Sequence, residues 1–330
     1  YIGKPSVTTA DVSGGTNGIF ARNADSGTLG VVASGPVSGA AGSGISATHA
    51  GDNVNTSSSQ NLNITATNVS GTDRGILATN NAKTTSGSRQ INVTVSGVVS
   101  GGTGAGIETR AANSTNAKRI TKITLNSGAT VGSANGVAIL DDESKATITI
   151  NDGAGVTGDI VLGNGTDTLT VKGAGSLDGS INGGGGSADK LTFTGAAVRA
   201  VTGDVLNMET VQIEGSSDVT FGGAVTTGQV KGDNAGTGAL RIASTGTVTG
   251  TSGDGIDALN RGNTTDLVIS AVDVSGAASG ILATNNGTGT TSITASGAIT
   301  GGSGAAIATL AGANGASAAV SRSAIAVRRA

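Results

Sequence analysis

The heptapeptide Gly-Ile-Leu-Ala-Thr-Asn-Asn fills residues 75–81 of this 330-residue chain and returns, letter for letter, at residues 280–286. Looser copies of its Gly-Ile-x-Ala core begin at Gly18, Gly44, Gly106 and Gly255. Weaker equivalents of the Gly-Ile step are Gly136-Val137, Asp159-Ile160, Ser180-Ile181, Asp204-Val205, Gln229-Val230 and Ala306-Ile307. The marker therefore recurs about twelve times, at intervals of 21 to 31 residues, which is typical of a solenoid.

Within each repeat the apolar residues alternate with period two, which indicates strands rather than helices. Three alternating pieces follow one another: Gly-Ile-x-Ala, an aliphatic pair such as Ile91/Val93, and a step such as Val69-Ser70-Gly71. We expect the glycine of each such step to supply a positive φ at a corner. Three strands and three corners per turn predict an all-β fold, a parallel β-helix (β-solenoid) of about 12 coils of 21–31 residues.

We interpret residues 1–330 as one continuous solenoid with three sub-regions. Residues 1–158 have long coils with loop excursions, residues 159–227 have short glycine-rich coils, and residues 228–330 have regular coils. Because the chain starts at Tyr1 and lacks a signal peptide, we expect it to be a piece of a longer precursor.

The composition restricts both the core and the partners. There are 58 glycines and only four Phe, Tyr and Trp residues together, so small and branched side chains must fill a narrow interior. The net charge of −3 does not favour nucleic-acid binding. With no cysteine, neither disulfides nor thiolate metal sites can form. No apolar run approaches the ~20 residues of a membrane helix, so we expect a chain that does not span a membrane.

Polar residues recur at one place in the repeat, two residues after the inward alanine. Asn23, Asn80, Asn260 and Asn285 occupy this place, and we expect a structural ladder in which each shares amide hydrogen bonds with the asparagine of a neighbouring coil. His49, the only histidine, has the same register, and we interpret it as a corner residue because no second ligand at matching spacing accompanies it.

Two groups of acidic residues are candidate sites. Asp167 and Asp189 follow glycine-rich stretches that approach a calcium-binding nonapeptide, but one aspartate per coil favours turn residues over a calcium site. Asp141, Asp142 and Glu143 could serve a sugar-cleaving enzyme, but without a Trp the chain lacks a typical sugar-binding cleft. We therefore predict no catalytic residue, no cofactor and no metal, and we expect that the chain is not an enzyme.

The middle of the chain contains four characteristic segments: Leu169-Thr170-Val171, Leu177-Asp178-Gly179-Ser180-Ile181, Leu191-Thr192-Phe193 and Asp204-Val205-Leu206-Asn207-Met208-Glu209-Thr210-Val211. In this order they resemble the passenger domains of Gram-negative autotransporters. Met208 stands where the family pattern prefers Phe, and Asp218-Val219 where Trp-Thr is common. The Gly-Ile-x-Ala coils on either side are similar to rhizobial-type surface autotransporters. The resemblance implies a right-handed, single-stranded parallel β-helix, export to the bacterial surface, and an outer-membrane anchor through a C-terminal barrel beyond this sequence.

Three functions stay open at this point. The first is a non-enzymatic surface stalk or adhesin that contacts a host, cell-surface or matrix ligand. Residues 49–61, 80–90 and 110–119 lengthen three coils and are either solvated loops or that contact surface. The second is an extracellular fibre subunit whose β edges join copies end to end. The third is a glycan-acting β-helix enzyme.

Overall fold

The structure, a computed structural model, describes residues 5–50, 59–82, 89–111, 119–142, 145–312 and 318–322. Within these ranges every regular element is a β-strand, and the strands pair in parallel with the strands of the next coil. The fold is therefore an all-β parallel β-helix, as the sequence predicts. The chain divides into two compact units: unit 1 is Tyr1–Leu169 with Gly184–Gly186, and unit 2 is Thr170–Gly183 with Ser187–Ala330.

Unit 1 contains sixteen complete strands in its described residues. They are β1 (Ser6–Thr9), β2 (Val12–Gly14), β3 (Ile19–Asn23), β4 (Leu29–Ala33), β5 (Val37–Gly39), β6 (Ile45–His49), β7 (Leu62–Ala66), β8 (Val69–Gly71), β9 (Ile76–Asn80), β10 (Arg89–Val95), β11 (Val98–Gly101), β12 (Ile107–Arg110), β13 (Arg119–Leu125), β14 (Thr130–Asp141), β15 (Lys145–Ile150) and β16 (Gly155–Val161). The next strand, β17 (Thr168–Lys172), begins in unit 1 and ends in unit 2.

The remaining strands belong to unit 2. They are β18 (Ser176–Asp178), β19 (Ile181–Asn182), β20 (Lys190–Thr194), β21 (Val198–Val201), β22 (Val205–Met208), β23 (Thr210–Glu214), β24 (Asp218–Phe221), β25 (Val225–Thr227), β26 (Val230–Asn234), β27 (Leu240–Ser244), β28 (Val248–Gly250), β29 (Ile256–Asn260), β30 (Leu267–Ala271), β31 (Val274–Gly276), β32 (Ile281–Asn285), β33 (Thr291–Ala295), β34 (Ile299–Gly301), β35 (Ile307–Ala311) and β36 (Ala318–Arg322).

The strands of unit 1 form three stacks, and each coil contributes one strand to each. The first stack is β1-β4-β7-β10-β13-β15. The second is β2-β5-β8-β11, continued by the first parts of β14 and β16. The third is β3-β6-β9-β12, continued by the second parts of β14 and β16. The Gly-Ile-x-Ala motifs thus lie directly above one another, with Ile45 opposite Ile76 and Ile76 opposite Ile107.

Side-chain size and alternation explain this stacking. In β3 the residues alternate between buried and exposed, and in the third stack Ile45, Ile76 and Ile107 are each 0 % exposed. Each such aliphatic side chain stabilises the fold by about 1.5–3 kcal/mol through burial. A slip of one residue would turn a whole strand's apolar set outward, so the pattern fixes the register.

The interpretation of Gly136-Val137 as a copy of the marker is wrong by two residues. Ile107 pairs with Ile139 rather than with Val137, because β14 contains register shifts between Gly132 and Val137 and between Val137 and Ile139. A bulge inserts extra residues and bends the strand, and here Gly136 adopts φ of 90°, which glycine tolerates without strain.

In unit 2 the marker does not stay in one stack, and here the sequence interpretation was wrong. Ile181 pairs with Val205 and Val205 with Val225, in the stack that continues to Val248. Val230 instead lies between Val211 and Ile256, in the stack β20-β23-β26-β29-β32-β35. All three strands of a coil carry the same alternating pattern, so a sequence period alone does not tell which stack a strand joins.

The step glycines were expected at positive φ, and most of them are not. Gly158 and Gly179 have positive φ, whereas Gly39, Gly71, Gly101, Gly250, Gly276 and Gly301 do not. These six are glycines because the backbone passes too close for a side chain: a Cβ on Gly71 would lie 2.0 Å from the carbonyl oxygen of Arg74. Close approach, and not an unusual backbone angle, is the common requirement at this step.

A second corner device links successive coils through an Asp or Asn side chain. Its oxygen accepts the backbone N–H of a residue in the next coil, and the residue just before that donor is a glycine whose Cβ would meet the same oxygen. The sets of acceptor, glycine and donor are Asn17/Gly42/Ser43, Asn68/Gly97/Val98, Asp204/Gly223/Ala224, Asp266/Gly289/Thr290 and Asp273/Gly297/Ala298. At these five corners the Asp or Asn oxygen leaves no room for a Cβ on the residue before the donor, whereas Asp254 accepts the N–H of Ser279 at 2.7 Å with Ala278 in that place.

Gly297→Ala tests this device. The new Cβ would lie 2.2 Å from Oδ1 of Asp273, so we expect a loss of about 1–3 kcal/mol in the free energy of unfolding. Asp273→Ala should cost about 1 kcal/mol by removing the 2.7 Å bond from the Ala298 N–H. In urea unfolding the double variant should be more stable than the sum of the single effects predicts, because the clash with the Asp273 carboxylate is gone and only the 2.9 Å approach to the Val272 carbonyl oxygen is left. Gly262→Ala, where a Cβ meets nothing within 4 Å, is the matched control.

Arg199 is an unexpected cation on the inward side of β21. It is 5 % exposed, and its guanidinium carbon lies 5.8 Å from the centre of the Phe193 ring. Its Nε donates to the Gly173 carbonyl at 2.5 Å, and its Nη2 donates to the carbonyls of Thr194 and Gly195 at 2.5 and 2.9 Å. These carbonyls belong to corners of successive coils, so one side chain joins two corners.

We expect Arg199→Met to destabilise unit 2 by about 1.5–3 kcal/mol, because the charge-assisted hydrogen bond to the Gly173 carbonyl is lost, whereas the carbonyls of Thr194 and Gly195 keep the Gly173 N–H and the Ser217 hydroxyl as donors. Val198→Met, on the neighbouring residue that is 78 % exposed, is the control and should change stability little. The measurement is the midpoint of urea unfolding for both variants. A midpoint of Arg199→Met equal to that of the control would show that these carbonyls do not need the guanidinium.

Candidate contact surface

Unit 2 carries a shallow groove of about 530 Å³ on the outward side of β23 and β26. Its polar lining is Gln212, Glu214, Lys231, Asp233 and Arg261. The alternation of side chains along each strand produces this polar lining. The residues that alternate with the lining residues, such as Val211 and Val230, point inward and are buried. None of these five polar residues belongs to a motif that is visible in the sequence.

The backbone register arranges four of these side chains as a two-by-two array. Gln212 lies opposite Lys231, and Glu214 lies opposite Asp233. Adjacent strands are about 4.8 Å apart, so each pair of side chains leaves the sheet close together. Two neighbouring carboxylates would repel each other, but Arg261 compensates Asp233 from the corner that follows β29.

The Asp233–Arg261 pair is bidentate. Nε of Arg261 donates to Oδ1 of Asp233 at 2.7 Å, and Nη2 donates to Oδ2 at 2.6 Å. This hydrogen bonding is the main reason why the pKa of Asp233 lies below its ordinary value. Burial, and next the nearby Asp254 carboxylate, raise the pKa of Asp257, whose strand position is opposite Lys231. The ammonium of Lys231 opposes that rise.

The groove combines hydrogen-bond donors and acceptors without a net formal charge. Glu214 and Asp233 contribute two negative charges, and Lys231 and Arg261 contribute two positive ones. Gln212 adds an amide that both donates and accepts, on a side chain that is 9 % exposed. None of the residues that line the groove is aromatic. Such a surface suits a neutral ligand with many hydroxyl groups better than a polyanion.

Unit 1 has a smaller groove, of about 380 Å³, along β11 and β14. Val98 and residues with small side chains such as Ser100 and Gly132 line it, and no charged residue does. It offers little chemistry with which to select a ligand.

The ladder residues lie at corners in both units. Asn23 is opposite His49, and His49 is opposite Asn80. In unit 2, Asn260 is opposite both Asn234 and Asn285. Asn234 escaped the sequence analysis because its strand lacks the Ile and Ala of the marker, although its spacing of four residues after Val230 was visible.

Most ladder side chains bond backbone rather than one another. Nδ2 of Asn234 donates to Oδ1 of Asn260 at 3.2 Å, which is the amide-to-amide contact that was expected. Asn80 instead donates to the carbonyl of Gln60 at 2.9 Å, and Asn285 donates to the carbonyl of Gly289 at 3.3 Å. The ladder therefore fastens each corner to nearby backbone, either of the segment that leaves the corner, as for Asn285, or of the preceding coil, as for Asn80.

The two calcium candidates lie inside their own units. Asp167 is 0 % exposed, and its Oδ1 accepts the N–H of Ala146 at 2.6 Å. Asp189 is 1 % exposed, and its N–H donates to the Glu209 carboxylate at 2.5 Å. In the described ranges, no three Asp, Glu or His side chains are grouped so that they could hold a metal ion.

Asp141 and Asp142 of the acidic run lie in different surroundings. Asp141 is buried and accepts from the Thr109 hydroxyl at 2.5 Å, whereas Asp142 is exposed, so the two carboxylates do not face one ligand. Glu143 lies outside the described residues. Of the three predicted connections, residues 51–58, 83–88 and 112–118 also lie outside them.

A charged cluster beside the third connection was not predicted. The Glu108 side chain is 5 % exposed and pairs with both Arg74 and Arg110, and Arg74 also pairs with Asp73. Each carboxylate of this cluster is paired with a guanidinium, and the Arg74–Glu108 pair connects two successive coils.

No family model matches the sequence, and no curated protein or solved structure shows significant similarity to it. Nor do the described residues include a helix with the length and apolar character needed to cross a bilayer.

Arg261→Ala tests the electrostatics of the groove. Without the bidentate partner the pKa of Asp233 should rise, because the charged form loses its hydrogen bonds. NMR titration of the Asp233 carboxyl group measures this. The pKa of Asp266 is the internal control. Hydrogen bonds that Asp266 accepts from Thr290 lower this pKa, and it should not change in the variant. An unchanged pKa of Asp233 would mean that Arg261 does not hold the carboxylate in solution.

Proposed function

We propose that this chain is a non-enzymatic, surface-exposed stalk of adhesin type, and that the groove of unit 2 contacts a neutral, polyhydroxylated ligand such as a cell-surface glycan. The observation that carries the proposal is the groove itself: polar side chains from successive coils form a fixed, charge-balanced array on a packed scaffold.

The scaffold supports the role of a stalk. Each coil hydrogen-bonds to the coils on either side within its unit, and the inward positions are aliphatic and buried. A side chain on such a sheet is held by strands that cannot shift without losing their neighbours, which keeps a contact surface preorganised.

The balance of charge supports the class of ligand. Hydroxyl groups both donate and accept hydrogen bonds, and an array of Gln212, Glu214 and Lys231 offers both kinds of partner. A polyanion would meet as many carboxylates as ammonium or guanidinium groups, so the groove would not attract it electrostatically. Affinity for a neutral ligand should therefore depend little on ionic strength.

Export to a bacterial surface, with the chain acting as an autotransporter passenger, is the part of the proposal that rests on sequence alone. It is supported by the motif at residues 204–211 and by the absence of cysteine. Protease treatment of intact cells of the source bacterium provides a test: a surface protein should be cleaved without lysis.

The contact function is tested by binding of the purified chain to immobilised neutral oligosaccharides. The variant Gln212→Ala/Glu214→Ala/Lys231→Ala should weaken binding by tenfold or more, since each lost hydrogen bond contributes about 1 kcal/mol. Asp233 and Arg261 are left unchanged so that their ion pair stays intact.

Thr226→Ala/Thr249→Ala is the matched control, because these paired outward threonines lie on a different stack of the same unit. It should bind like the unaltered chain. Equal affinity of the triple variant and the control would remove the groove from the function, and failure of the unaltered chain to bind any member of the panel would overturn the proposed ligand class.

A further inference from the structure

His49 occupies a place that asparagine fills elsewhere in the ladder. It ends β6, lies opposite Asn23 and Asn80, and is 0 % exposed. It is the only histidine in the chain, and nothing in the proposed function uses it.

The hydrogen bonds around its ring define the tautomer. Nε2 lies 2.5 Å from the carbonyl oxygen of Gly27, and a carbonyl only accepts, so Nε2 must carry the proton. Asn23 presents Nδ2 to the same ring nitrogen at 3.3 Å, because its Oδ1 already accepts the N–H of Asp25. Two donors then face each other, and this second contact is not a hydrogen bond.

The other ring nitrogen, Nδ1, is buried and has no hydrogen-bond partner among the described residues. A second proton on the ring would have to go there. It would place a positive charge and an unpaired N–H in a fully buried site, which is costly. An asparagine at this place has no such liability, because it does not titrate.

None of the charged residues described around this corner offsets this cost. The charged residues on the β3 side are Arg22 and Asp25, and both are exposed. The strands β7 and β9 carry no titratable residue. Asp52 lies outside the described residues. Burial lowers the pKa of His49, and the hydrogen bond to the Gly27 carbonyl opposes that effect only in part.

We propose that the corner formed by Asn23, Gly27, His49 and Asn80 is a pH-sensitive point of the solenoid, which opens when His49 takes up a proton. The corner is closed by two backbone bonds, from Ala50 N–H to the Asn23 carbonyl at 2.7 Å and from Asn81 N–H to the His49 carbonyl at 2.8 Å. Opening breaks these bonds and gives Nδ1 access to water.

The direction of the pH effect follows from linkage. The open form titrates near the ordinary value of 6.5 and the closed form below it, so the open form binds protons more readily. The closed corner is fully stable above pH 6.5 and loses stability as the pH falls below that value. The loss ends at the pKa of the closed form.

Amide hydrogen exchange at a series of pH values, corrected for intrinsic rates, tests the proposal on the whole chain. Protection of the Ala50 and Asn81 amides should fall by up to tenfold per pH unit below 6.5. The amides of Arg261 and Asn286 close the equivalent corners of unit 2 at 3.0 and 2.9 Å without a histidine, and their protection should not change.

His49→Asn is the matched variant, since asparagine occupies the same place at Asn80. It should remove the pH dependence at Ala50 and Asn81. NMR titration of the single histidine in the unaltered chain gives a second measurement that does not depend on the folding of a variant. A histidine that titrates at or above 6.5, or a pH dependence that persists in His49→Asn or appears equally at Arg261 and Asn286, would overturn the proposal.

Discussion

Hydrogen bonding between a strand and its equivalent one coil later is the interaction on which the rest of this structure depends. It is strictly parallel in both units, and it places like residues above one another, as with Ile45, Ile76 and Ile107. A parallel pair needs a long connection between its strands, and the two other strands of the coil supply it. Each coil therefore satisfies its backbone only through its neighbours, which is why a single coil has no stable fold of its own.

The same geometry dictates what the corners can contain. Since coils repeat at the spacing of adjacent strands, a side chain at a corner meets the backbone of the next coil. Asp273 accepts the Ala298 N–H there, and the room that its oxygen occupies is taken from the side chain of Gly297. Much of the glycine in this chain is thus a consequence of polar corners and close backbone contacts. Disorder, the usual association of such a composition, is not needed to explain it.

The sequence was sufficient for the fold class, because a period-two pattern repeated every coil leaves few alternatives to a stack of parallel strands. It was not sufficient to predict which of the three stacks each strand joins. Val205 and Val230 look like successive copies of one marker, yet they belong to different stacks. Bulges are equally hard to foresee, as Gly136 and Val137 show, because this Gly-Val step looks like one more copy of the Gly-Ile marker.

The groove was missed for a related physical reason. Lys231 and Glu214 are distant from each other in the repeat as read from sequence, and only the stack assignment makes them neighbours. The same applies to Arg261, which pairs with a carboxylate 28 residues earlier. An outward site on a solenoid is thus a property of the register, and an error of one stack separates residues that in fact share a surface.

Inward and outward positions therefore differ in how freely they can vary. Replacing an inward isoleucine disturbs the coil above and the coil below, whereas an outward residue such as Lys231 can change without affecting the ladder. Ladder positions lie between these extremes, because Asn80 and His49 fit the same corner although only one of them titrates. The backbone tolerates either residue, so a single substitution at a corner changes the response of the molecule to protons while the coils keep their register. Chemical variation in this fold can enter at its outward and corner positions without a change of architecture.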